Sequence, residues 1–157
     1  MDATIKRFIL GIVRTQADLT LATIRPDGYP QANTVSYVSD GLTLYFGTVR
    51  ESQKVRNLQQ CNKVSLTIGA PYTEWREIRA LSMGGIAELL ADDKSESRHA
   101  AELVMRRYSL FLGAPPPGNP SAIAFVKITP QVISVLDYRK GFSGARLVEV
   151  APGDLRG

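Results

Sequence analysis

The stretch Leu44-Tyr45-Phe46-Gly47-Thr48-Val49-Arg50-Glu51-Ser52-Gln53-Lys54-Val55-Arg56-Asn57-Leu58 begins as an apolar strand and ends as a helix. Its junction carries Thr48, Arg50, Ser52, Lys54 and Arg56. The first N–H groups of a helix lack intrahelical acceptors, so hydroxyls and cations gathered there suit an anion. A hydroxyl adds a hydrogen bond and an ammonium adds a point charge. The same residues also read as an ordinary N-cap at Ser52 followed by solvated basic side chains. Arg50 and Arg56 are equally open between solvation and pairing with Glu51.

Outward from this junction, the chain reads as alternating strands and helices. On its N-terminal side, Ile5, Phe8, Ile9, Ile12 and Val13 recur along one helical face, with Asp2 as the expected N-cap. Strands follow at Leu19–Ile24, Pro30–Val38 and Leu42–Thr48, separated by turns at Pro26-Asp27-Gly28 and Ser39-Asp40-Gly41. Short turns of this kind make an antiparallel meander. On the C-terminal side, a helix from Ser52 to Gln60 leads to Lys63–Gly69, where Val64, Leu66 and Ile68 alternate with Ser65 and Thr67. After a break at Pro71–Glu74, Arg76–Leu90 reads as a strand whose Gly84-Gly85 pair marks a bulge or bend. Asp92–Leu112 reads as a helix capped by Asp92 or Ser95, with Ala101, Val104, Tyr108 and Phe111 on its apolar face. Gly113–Pro120 reads as a loop, Ala122–Asp137 as a strand bent at Pro130, and the tail from Ala151 as frayed.

Six strands with peripheral helices, mostly antiparallel, point to a small barrel, because closure removes exposed strand edges. No Gly-x-Gly-x-x-Gly lies between a strand and a helix, so a Rossmann dinucleotide site is not supported. At 157 residues and 44% hydrophobic, the chain has enough core for one domain, expected over residues 1–150, with 151–157 as a flexible tail. The apolar runs are shorter than the roughly 20 residues of a membrane helix, and Lys6 and Arg7 interrupt any signal-like stripe. The lone cysteine, Cys61, allows no internal disulfide, so a cytoplasmic location is expected. With one cysteine and one histidine, a zinc or iron site built on those residues is not expected. The net charge of +4 is mild and scattered, which gives little support to a nucleic-acid partner.

The order strand, turn, strand, turn, strand, then Thr48-x-x-x-Ser52-x-Lys54 opening a helix resembles the pyridoxamine 5′-phosphate oxidase-like family. Gly28-x-Pro30, Asn62-Lys63-Val64-Ser65, Gly85-x-Ala87-Glu88 and Asp137-Tyr138-x-Lys140-Gly141-Phe142 add to the likeness, which spans roughly residues 5 to 145. The resemblance implies a six-stranded antiparallel split β-barrel of Greek-key, FMN-binding type. It also implies a homodimer holding two FMN molecules between its subunits. Thr48, Ser52 and Lys54 would hold the phosphate, with Gln53 where the oxidases carry an arginine. Gln31–Ser36 would line the ring: Asn33 stands in for an arginine, and Thr34 and Val35 offer backbone groups.

The resemblance implies an FMN-dependent oxidoreductase on a small-molecule substrate. A flavin-binding module without efficient turnover, or a relative holding a deazaflavin or haem, is the alternative. A true pyridoxamine phosphate oxidase is not expected. Asn33 and Gln53 lack the cations of those positions, and Gly144–Gly157 carries neither the Trp nor the His of the oxidases' C-terminal segment. No catalytic acid or base is assigned. Trp75 reads as a core or interface residue, and Tyr108 and Phe111 as further candidates for burial between subunits. His99 reads as a surface residue, Cys61 as a small packed one, and Lys140-Gly141-Phe142 as either a turn or a lip over the cofactor.

Overall fold

The computed structural model describes residues 1–112, 122–141 and 145–157, without the side chains of Tyr108, Leu110, Phe111 and Leu112. The readings made for Gly113–Pro120, Tyr108, Phe111 and Phe142 therefore lie outside the described residues. Asp2 caps the first helix, α1 (Ala3–Thr15), accepting from the Thr4 and Ile5 N–H groups. Its inner face, Ile9, Ile12 and Val13, joins the main core as the periodicity predicts. Next come β1 (Asp18–Ile24), β2 (Pro30–Ser36), β3 (Val38–Asp40) and β4 (Thr43–Val49). Gly28 and Gly41 hold the two turns with φ of 82° and 59°, a region where a side chain is strained. Then follow α2 (Gln53–Gln60), β5 (Lys63–Gly69), β6 (Arg79–Leu89), α3 (Ser95–Leu112), β7 (Ile123–Asp137) and β8 (Arg146–Glu149).

These strands form one antiparallel sheet in the order β2-β1-β5-β6-β7-β4-β3, with β8 also on β7, and it curls into a half-barrel. Among the described residues, eight strands replace the six expected, for two reasons. The expected strand Pro30–Val38 changes partner at Tyr37: β2 pairs with β1, whereas β3 pairs with β4 at the opposite edge. Tyr37 is buried at that switch and donates its hydroxyl hydrogen to the Val13 carbonyl at 2.7 Å. The second addition is β8, which pairs with the far half of β7.

The Gly84-Gly85 pair does carry the expected irregularity. Gly84 faces Val132 while Gly85 faces Pro130, so Gln131 is the extra residue and the bend at Pro130 is a bulge. A Cβ on Gly85 would lie 2.7 Å from the Thr129 carbonyl oxygen, which keeps the two backbones close only with glycine there. Inward positions Leu19, Leu21, Leu44, Phe46, Leu66, Ile68, Leu81, Met83, Val126 and Ile128 fill the half-barrel. A second cluster forms on the outer face, where Ala100 and Val104 of α3 pack on Val38, Tyr45 and Leu90. Ala100, rather than the expected Ala101, is the fully buried alanine of α3.

The tail from Ala151 lies against the turn before β4. Leu42 N–H donates to the Leu155 carbonyl at 2.9 Å, and Asp154 accepts from the Ala151 N–H at 2.9 Å. A Cβ at Gly41 would overlap that same Leu155 carbonyl, so glycine permits both the turn and the tail's seat. No helix among the described residues is long and apolar enough to cross a membrane.

Candidate functional site

Among the described residues β2 is an edge of the sheet and β4 pairs with β3 only over Thr43–Tyr45, so the phase of each ladder shows which backbone groups face the open edges. In β1–β2, Arg25 N–H donates to Tyr29 O and Tyr37 N–H to Ala17 O. Because hydrogen-bonded pairs alternate in an antiparallel ladder, Gln31, Asn33 and Val35 direct their backbone groups to β1. Ala32, Thr34 and Ser36 direct theirs to the open edge. The backbone groups of Thr34 thus face the open edge. Val35 directs its backbone groups to Leu19, and its side chain is buried in the core. Asn33 is half-buried on the inward face, beside Gln31 and Val35.

On the other wall, Arg50 N–H donates to Ala122 O, which phases β4 so that Phe46 and Thr48 bond to β7. Gly47, lacking a side chain, turns its backbone toward the open edge. Thr48 is half-buried on the same face as Phe46, two residues along the strand. The chain then turns, with Ser52 N–H donating to Val49 O at 3.0 Å. Ser52 Oγ accepts from Val55 N–H at 3.3 Å, so Ser52 is an N-cap in this structure. Capping leaves the N–H groups of Gln53 and Lys54 at the helix start without intrahelical acceptors.

Lys54 carries the clearest anomaly. It is half-buried, its Nζ lies 5.5 Å from the centroid of the Phe46 ring, and it has no carboxylate partner among the described residues. Burial lowers its pKa from the usual lysine value. An ammonium held partly out of water without a counter-charge is a site that gains from an anion. The neighbouring cations are committed elsewhere. Arg50 bonds both carboxylate oxygens of Asp92, at 2.9 and 3.0 Å, and the Ile123 carbonyl, rather than Glu51. Arg56 donates to Gln53 Oε1 at 3.3 Å. Gln53 in turn donates from Nε2 to Asn57 Oδ1 at 2.9 Å.

Thr48, Ser52 and Lys54 are therefore gathered at one strand-to-helix junction, and Asn33 and Thr34 line the opposing strand. Asn57, which the sequence reading did not single out, links α2 to β1 and β2 through Thr23 and Gln31. Its signal was an amide on the face that also buries Val55 and Leu58. Trp75 is 49% exposed, with the Arg76 guanidinium 5.3 Å from its ring, so it is outside the monomer core. His99 faces Asp40 at 3.3 Å and meets the Tyr45 ring edge-on, on the outer surface of the sheet. Cys61 is half-buried and ends α2 by donating its N–H to Asn57 O.

The family model for pyridoxamine 5′-phosphate oxidase matches residues 5–137. The chain belongs to the pyridoxamine 5′-phosphate oxidase family. Among solved structures, it is similar to an F420 reductase at 26% identity and a TM-score of 0.64, covering 80% of this chain and 94% of that one. A heme-binding protein from Mycobacterium smegmatis superposes with a TM-score of 0.74 at 18% identity, over 95% of this chain and 59% of that one. General stress protein 26 from Bacillus anthracis gives 0.69 at 18% identity, over 93% and 98%. The latter two likenesses show a shared fold. No curated protein matches the chain.

Proposed function

We propose that this chain is an FMN-dependent oxidoreductase that acts on a small molecule as a C2 homodimer. The observation that carries the reading is Lys54: half-buried, without a carboxylate partner, and next to two helix-start N–H groups. Lys54, the Thr48 hydroxyl and those N–H groups would hold a phosphate. The open edge of β2, with Thr34 and Asn33, would carry the ring. Flavin supplies hydride and single-electron transfer; the protein supplies anchor, orientation and nearby charge. A half-barrel open at this edge leaves a planar ring uncovered on one side, which supports a second copy as its cover. Light scattering on the FMN-loaded protein is expected to give twice the chain mass, and a monomer retaining tight FMN would refute the dimer.

A deazaflavin is the second reading, favoured by the likeness to an F420 reductase. A histidine-ligated haem is less favoured, because the chain's one histidine, His99, bonds Asp40 on the outer surface. The purified protein is expected to show the two visible bands of oxidised flavin. Bands of a deazaflavin or a Soret band would replace FMN in this reading. Pyridoxamine 5′-phosphate is a poor candidate substrate, since Asn33 is uncharged and Gln53 is held by Asn57. A doubly charged substrate phosphate would find little compensation there. An aerobic assay should accordingly yield little pyridoxal 5′-phosphate; efficient turnover would overturn this point.

Binding should also depend on pH through Lys54. Its folded pKa is lowered by burial, whereas a phosphate dianion favours the charged form, so binding takes up a proton where free Lys54 is neutral. FMN affinity is therefore expected to fall as pH rises through the lowered pKa, before the ordinary lysine range near 10.4. The free protein should change in the opposite sense. In that window its unfolded state binds the extra proton, so folding stability rises with pH. Lys54→Arg should bind FMN with little change across the same window, and equal slopes in both proteins would count against Lys54.

A further inference from the structure

We infer that Asn57 is a positioning residue that sets the phosphate anchor against the ring-bearing strand, an inference resting on the FMN reading above. Asn57 is fully buried in α2, yet both its amide hydrogens and its amide oxygen have named partners. Nδ2 donates to Thr23 Oγ1 at 2.9 Å and to Gln31 Oε1 at 3.0 Å; Oδ1 accepts from Gln53 Nε2 at 2.9 Å. Thr23 and Gln31 are themselves cross-strand partners on β1 and β2. Gln31 shares the inward face of β2 with Asn33, and Gln53 stands between Ser52 and Lys54. One amide thus ties the first turn of the anchoring helix to the strand pair that forms the other wall.

Packing alone does not require this arrangement. Val55 and Leu58 already bury α2 on the core, and apolar contacts tolerate sliding and rotation of a short helix. A fully satisfied buried polar network instead fixes one rotation and depth. For a helix whose start carries the anchor, that rotation decides where the N–H groups of Gln53 and Lys54 point. A ligand bound only through its ring would not sense the change. One bound through ring and phosphate together would.

The test compares FMN with riboflavin, which lacks the phosphate, in the wild type, Asn57→Ala and Thr23→Val. Titration calorimetry gives the two affinities, and circular dichroism with thermal melting reports folding. In Asn57→Ala, the preference for FMN over riboflavin is expected to fall by about fivefold or more, with riboflavin affinity changed by no more than about twofold. Thr23→Val removes a single acceptor at constant shape and should shift the preference in the same direction by less. It decides the matter if Asn57→Ala does not fold. Equal losses for both ligands, or an unchanged preference in folded variants, would make Asn57 a residue of the fold alone and overturn the inference. A wild type with no preference for FMN would overturn the phosphate-anchor reading itself, and this inference with it.

Discussion

Lys54→Ala is expected to weaken FMN binding by about tenfold to a hundredfold while the protein stays folded. A hydrogen bond to a charged partner contributes roughly 1.5–3 kcal/mol, and each 1.4 kcal/mol is about a factor of ten in affinity. Removing the ammonium should not unfold the chain, because Lys54 has no ion-pair partner among the described residues to strand. A half-buried, unpaired cation is a cost to the free protein, so its melting temperature should hold or rise slightly. Lys54→Met separates the two roles of the side chain, since it keeps an apolar stem against Phe46 but loses the charge. Both variants should bind riboflavin about as well as the wild type does. Fluorescence quenching titrations measure all of this. An FMN affinity left intact by both substitutions would remove Lys54 from the site.

Phe46→Ala is expected to lower stability by about 3–5 kcal/mol, the usual cost of emptying a fully buried aromatic position. Phe46 has no exposed surface and lies in the main cluster of the half-barrel. Its pairing partner Val126 is buried as well, so the sheet cannot readily collapse into the space. Urea unfolding should show a lower midpoint at nearly constant slope. The ring also supports Lys54 from 5.5 Å, so Phe46→Leu, a milder loss in the core, should loosen the ammonium as well. A Phe46→Ala protein as stable as the wild type would mean that this strand is not the inner wall described here.

Local chemistry made much of this legible in the sequence. The glycines of the Asp-Gly steps adopt positive φ, Asp2 caps α1, and strict alternation in Lys63–Gly69 gives a half-buried strand. The strand-to-helix junction was legible for the same reason: Thr48, Ser52 and Lys54 are close in sequence, and Ser52 caps α2 as an N-cap reading expects. Other features depend on distant chain. Tyr37 ends β2 only because Val13 accepts its hydroxyl hydrogen and β4 recruits the residues that follow. Nothing in Pro30–Val38 itself signals a change of partner. Strand β8 is short and mostly exposed, with Leu147 70% accessible, so it lacks the alternation that marks a strand. Gln53 and Asn57 look like surface amides until folding places Thr23 and Gln31 beside Asn57. Ladder phase, which decides whether the backbone groups of Thr34 or of Val35 face the open edge, is invisible without the register.

The partner switch at Tyr37 also bears on when the binding cleft can exist during synthesis. Every candidate ligand lies between Asn33 and Lys54, early in the chain. Yet β2 and β4 occupy opposite flanks of the sheet, linked in the ladder only through β1, β5, β6 and β7. Strand β4 meets its long-lived partner only when Ile123–Ile128 has emerged, some eighty residues later by the pairing of Leu44 with Ile128 and Thr48 with Ala124. A nascent chain that ends before β7 already holds Asn33, Thr34, Thr48, Ser52 and Lys54 and still lacks the strand that joins β4 to the rest of the sheet. Closure of β4 onto β7 thus belongs to a late stage of synthesis, and it depends on a long-range contact of the kind that forms slowly.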